Sequence, residues 1–167
     1  MRALSLSMSA LTLCALGGTA LVVPHAAVEA QKRKTPYYAA ISAGQARMRT
    51  GPGRNYPVSW MYQRAGLPVK VVDIYKEWRK VEDPGGTQGW MQVNLLTENR
   101  TGLVVDQIVT LRDRPSASGR VQYRAQPGVV GRISKCSGGW CWLDVRGRAG
   151  FVESIHLWGV DPGEDVP

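Results

Sequence analysis

Trp78-Arg79-Lys80-Val81-Glu82, the turn Asp83-Pro84-Gly85-Gly86 and Gln88-Gly89-Trp90-Met91-Gln92-Val93 form the stretch whose reading decides the fold. Short runs that alternate in polarity flank a Pro-Gly-Gly tip, which is the pattern of an antiparallel hairpin. The pattern then returns. Ser137-Gly138-Gly139 is a second tip, followed by Trp140-Cys141-Trp142-Leu143-Asp144-Val145, Gly147 and Ala149-Gly150-Phe151-Val152. Trp78 and Trp140 stand 62 residues apart, and Gly89-Trp90-Met91 and Gly150-Phe151-Val152 stand 61 apart.

Working outward, the repeat extends in both directions. Arg47-Met48-Arg49 matches Thr110-Leu111-Arg112 at an offset of 63, and Tyr62-Gln63-Arg64-Ala65-Gly66 matches the stretch from Tyr123 to Gly128, starting at 61. Leu95 and Ile155 close the two units. A unit of about 60 residues is near the lower size of an independent domain. Leu67 to Asp73 and Val129 to Ser134 supply further short strands. Five or so strands in so short a unit fit a small closed barrel, because closure removes exposed edges. The expected fold is all-β, two tandem small β-barrels joined near Glu98–Gly102. The first covers 38–100 and the second 101–160, with a linker over 31–37 and a tail over 161–167. The recurring aromatics Trp90 and Phe151 are expected in the cores. Trp78 and Trp140, beside turns, are expected there less.

Met1 and Arg2 open the chain with positive charge, and Ala3 to Val23 is almost uncharged and leucine-rich. Val28-Glu29-Ala30 sets short residues before Gln31. Residues 1–30 therefore read as a secretory signal peptide. The alternative is an uncleaved anchor, since about 20 apolar residues span a bilayer, but Gly17, Gly18 and Pro24 weaken that helix. Leu13 before Cys14 does not suit lipid attachment. The expected location is exported, periplasmic or elsewhere in the cell envelope. Membrane contact is expected only through the leading segment, if it is retained.

Export sets the redox compartment. Cys136 and Cys141 are the two cysteines beyond the leader, and they flank a four-residue loop. That spacing fits a disulfide across a hairpin. Two Cys and His156, read as part of a short buried turn, are too few for a metal site. No paired-carboxylate, nucleophile-elbow or phosphate-loop pattern is present, so neither an enzyme nor a cofactor is expected.

The formal net charge is +8, and it is uneven. Residues 31–100 carry 12 basic and 5 acidic side chains, against 8 and 7 over 101–167. A basic first half suits anionic envelope material, while solvated surface charge is the plainer account. A sequence pI near 9.8 would raise nucleic acid as a partner, but the leader argues against it.

Arg47-Met48-Arg49-Thr50-Gly51-Pro52-Gly53, Tyr56-Pro57, Tyr62 to Val69, Glu77-Trp78-Arg79-Lys80-Val81 and Gly89-Trp90-Met91 together resemble the bacterial SH3-like family, in its tandem exported type. Cys136 to Cys141 and Leu157-Trp158-Gly159-Val160 extend the resemblance through residue 160. It implies a β-barrel module for binding or scaffolding, often at the cell wall, without catalysis. Arg112-Asp113-Arg114-Pro115 departs from the pattern by lacking the Gly-Pro-Gly turn.

Thr50-Gly51-Pro52-Gly53, whose glycines allow positive φ, borders a ligand groove or is a plain turn. Tyr56, Trp60 and Tyr62, with Arg47, Arg49 and Arg54 beside them, form the candidate ligand face by stacking plus charge. Cross-strand packing is the alternative. The expected function is a non-catalytic module that holds wall peptide, glycan or a partner protein's segment. A scaffold without a groove is the second reading.

Overall fold

The computed structural model describes residues 33–167. The leader read over 1–30, and the start of the linker, lie outside the described residues.

Two antiparallel sheets account for the described strands. The first contains β1 (Tyr37–Ile41), β2 (Ala46–Arg49), β3 (Val58–Tyr62), β4 (Pro68–Tyr75), β5 (Trp78–Glu82), β6 (Gln88–Gln92) and β7 (Leu96–Thr97). The second contains β8 (Thr101–Val104), β9 (Val109–Arg112), β10 (Val121–Ala125), β11 (Val130–Ser137), β12 (Trp140–Val145), β13 (Arg148–Glu153) and β14 (Leu157–Trp158). Their orders are β3-β2-β6-β5-β4-β1-β7 and β10-β9-β13-β12-β11-β8-β14, the same order displaced by seven. No described strand is shared, and each sheet wraps its own core. Ile41, Met48, Val69, Val71, Val81 and Met91 fill the first. Val104, Leu111, Ile133, Leu143 and Val152 fill the second.

Strand alternation corrects the core expectation for Trp90 and Phe151. Both are only partly buried, and Trp78 is the tryptophan of the first unit that is buried. The cause is the glycine beside each. A Cβ at Gly89 would lie 2.9 Å from the Arg49 carbonyl, and one at Gly150 2.9 Å from backbone atoms of Arg112. Only glycine lets β6 and β13 cross so close to β2 and β9. Gly89 and Met91 therefore face inward, and with a period of two Trp90 faces outward.

The structure also shifts two equivalences. Tyr62 pairs with Ala46, and it is Ala125 that pairs with the corresponding Val109. Trp60 faces Met48 as Tyr123 faces Leu111. The counterpart of Tyr62 is thus Ala125, and that of Trp60 is Tyr123. Similarly, the short 3₁₀ turns Val93–Leu95 and Ser154–His156 correspond, which sets His156 rather than Ile155 opposite Leu95.

Residues read as linker and tail take part in the fold. Tyr37 begins β1, and its ring lies 3.9 Å below the Arg33 guanidinium. Val166 is buried and exchanges two backbone hydrogen bonds with Cys136, at 2.8 and 3.0 Å. Between them the segment reaches the first sheet. The Lys70 ammonium donates to Asp161 at 3.0 Å, and the Tyr38 hydroxyl donates to the same carboxylate at 3.3 Å. Arg100 grips Glu164 with two bonds of 2.6 and 2.9 Å and donates to the Gly159 carbonyl. Tyr38 meets Trp158 edge-on, with centroids 5.3 Å apart. Residues 158–166 thus clasp the two sheets together. The polar run Asp161-Pro162-Gly163-Glu164-Asp165 has no apolar period from which this could be read.

Candidate functional site

On β2, Ala46 and Met48 enter the core, which turns Arg47 and Arg49 outward. Beside them a groove of about 360 Å³ is lined by Gln45, Arg47, Arg49, Arg54, Trp78, Gln92 and Leu95. Among the described residues its lining holds three arginines and no acidic residue. Trp78, of which 9% stays exposed, and Leu95 supply the apolar surface. Such a groove attracts an anion and offers an aromatic surface to its apolar part.

Arg49 has a second task. Its guanidinium donates to the Tyr56 carbonyl at 2.7 Å and so ties the following loop to the strand. That loop needs its glycines for a reason other than backbone torsion, since neither Gly51 nor Gly53 has positive φ. The Tyr56 ring lies over Gly51, where any Cβ would collide with it. The loop is a seat for Tyr56.

Of the residues expected on the ligand face, Arg49 and Arg54 line the groove. Tyr56 and Trp60 are exposed, at 48% and 57%, but neither lines it. Tyr62 is on no surface. It is 7% exposed, its ring packs in the first core, and its hydroxyl donates to Asp83 at 2.7 Å. Burial, with the Asp83 carboxylate accepting from it, pushes the hydroxyl pKa well above the usual tyrosine value. Arg47, expected beside the aromatics, lines the groove as well, while Gln45, Trp78, Gln92 and Leu95 were not in the expected set. The outward phase of β2 carries the signal for Arg47, and the recurrence of Trp78 as Trp140 carries the signal for the floor.

The sequence matches the family model described as bacterial SH3 domain twice, over residues 42–98 and 105–159. The two matches cover more than half of the chain. The chain belongs to the bacterial SH3 domain family. None of the curated proteins matches it. Among solved structures, NlpC2 from Trichomonas vaginalis is similar at 15% identity and a TM-score of 0.35, over 77% of this chain and 51% of that one. An NlpC/P60 family protein from Bacillus cereus is similar at 16% identity and a TM-score of 0.33, over 78% and 58%. The chain spans about half the length of these structures.

The second SH3 domain repeats the groove in place but not in chemistry. There Ile108, Thr110, Arg112, Trp140, Glu153 and His156 line about 240 Å³. Arg112 keeps the tethering task, donating to the Gly119 carbonyl at 2.6 Å. Thr110 stands where Arg47 stood, Glu153 where Gln92 stood, and His156 where Leu95 stood. The His156 Nδ1 donates to Asp106 at 2.9 Å, and this bond holds the Asp106 carboxyl below its usual pKa. Cys136 and Cys141 face each other across β11 and β12 and are joined as a disulfide. Among the described residues no cluster of three His, Cys, Asp or Glu side chains could hold a metal ion.

Proposed function

We propose that the protein is a non-catalytic binding module of the bacterial cell envelope, and that its first SH3 domain holds wall peptide or glycan, or an acidic segment of a partner protein, in the Arg47–Arg54 groove. One observation carries this reading: Arg47, Arg49 and Arg54 line one groove together with Trp78 and Leu95, and among the described residues no acidic side chain lines it. Wall peptides present carboxylates beside short apolar side chains, and this groove offers the complementary pair of surfaces. The family supports a binding role, and the disulfide suits an oxidising compartment. The clasp through Asp161 and Glu164 favours a second reading, a scaffold that fixes the spacing of two domains. Retention of the purified protein on isolated peptidoglycan separates them. The binding reading predicts retention that weakens as ionic strength rises, because salt screens the exposed arginines. Clean flow-through at low salt would leave the scaffold.

A further inference from the structure

The two domains differ most where Tyr62 in the first is replaced by Ala125 in the second. In the first, the Tyr62 ring fills the side of the barrel beneath β3 and its hydroxyl is anchored on Asp83. In the second, the register sets Ala125 at that place and Val145 at the place of Asp83. Both the plug and its anchor are gone. What remains is an open groove of about 550 Å³ lined by Leu111, Tyr123, Ala125, Val129 and Val145, with Arg124, Gln126 and Arg148 around them. A volume of that order is within the range of small-ligand sites. A separate groove shares Val129, Val145 and Arg148 and adds Arg64 and Arg146. Among the described residues, neither lining contains an acidic side chain.

Three observations then fix the kind of occupant. The groove is lined mainly by apolar and aromatic side chains and has room for an aromatic or branched side chain. Its rim is cationic. And Tyr123, Arg124 and Ala125 belong to β10, which ends its sheet and pairs only with β9 among the described strands. An edge strand has free backbone donors and acceptors, which an extended peptide satisfies by adding a strand. We propose that the second SH3 domain binds an extended acidic peptide segment of a partner protein along β10, with one apolar side chain seated over Ala125 and its flanking carboxylates on Arg124 and Arg148. This site is on a different domain from the Arg47–Arg54 groove and does not depend on it.

The test titrates the full chain with a blocked Glu-Phe-Glu peptide and follows the backbone amide resonances. Shifts are expected at Tyr123, Ala125, Val129 and Val145. The Gln-Phe-Gln and Glu-Ala-Glu peptides are each expected to bind at least about tenfold more weakly, one losing the rim contacts and the other the buried side chain. Ala125→Tyr, which restores the bulk found in the first domain, is expected to abolish binding. The surface pair Arg124→Gln/Arg148→Gln is expected to weaken it about tenfold without touching the core. Binding by Ala125→Tyr at the parent level, equal binding of all three peptides, or shifts confined to the first domain would each overturn the proposal. Should Ala125→Tyr fail to fold, an arginine pair that binds like the parent would overturn it alone.

Discussion

The two domains share a strand order, a bulge between the second and third strands, and an arginine that ties the next loop to its strand. They share the glycines at 89 and 150 that let two strands cross closely, and the positive-φ turns at Gly66 and Gly128. They differ at the side chains that line their surfaces. The first groove is cationic, while the second mixes Arg112 with Glu153 and the His156–Asp106 pair. Tyr62 fills the flank of the first, and Ala125 opens that of the second. What recurs between the domains is what the backbone requires. What diverges is what a ligand would meet, and the divergence is therefore the guide to function.

The comparison is broken most forcefully from inside the cores. Met48→Ala and Leu111→Ala remove side chains that are 0% and 1% exposed. Each is expected to cost ~2–5 kcal/mol. Hydrogen exchange should show the loss concentrated in the mutated domain; equal loss in both would mean that they fold as one cooperative unit.

Removing the disulfide tests a difference found in the second domain. Cys136→Ser/Cys141→Ser is expected to cost about 2 kcal/mol, the chain-entropy contribution of so short a loop. Thermal melts of oxidised and substituted protein measure it. Val166, whose backbone pairs with Cys136, should lose protection as well.

The clasp tests whether the domains act together. Arg100, by its hydrogen bonds, holds the Glu164 carboxyl below the usual glutamate pKa. A lowered folded-state pKa means the contribution is complete above the ordinary value, ~4.3, and is lost as pH falls below it towards the folded-state value. Glu164→Gln is expected to cost ~1 kcal/mol and to flatten the acid limb of the stability profile. An unchanged acid limb would remove Glu164 from the account of inter-domain rigidity. The smallest effect is at Tyr62. Tyr62→Phe keeps the ring and loses the hydroxyl's bond to Asp83 and its weak one to the Met48 sulfur, at ~1 kcal/mol, measured by denaturant titration.

Much of this was legible in the sequence, and the failures have particular causes. The repeat, the sheet class and the Cys136–Cys141 pairing could be read because Gly-aromatic pairs, turn residues and cysteine spacing report directly on backbone geometry. Trp90 and Phe151 were misassigned because size argued for burial while the neighbouring glycines, which set the phase of the strand, argued against it. Tyr62 was aligned with Tyr123 on identity alone. The loop Gln126–Val129 is one residue shorter than Gln63–Leu67, and the register then makes Ala125 its counterpart. Arg49 and Arg54 were found through charge next to a glycine loop. Trp78 and Leu95 come from different parts of the unit, and only folding brings them to the same groove. The role of residues 161–167 depends on ion pairs with distant Lys70 and Arg100, which no local pattern encodes.

The claim that the cationic groove of the first domain is the binding face is tested most directly by removing its charge in the full chain. Retention on isolated peptidoglycan would be compared for the parent, Arg47→Ala/Arg54→Ala and Glu153→Ala/His156→Ala. Arg49 is left intact because it also tethers the Tyr56 loop. The account predicts that the arginine pair lowers retention about tenfold or more while the Glu153/His156 pair retains the parent's binding. Full retention by the arginine pair, or loss only with the substitutions in the second domain, would contradict it.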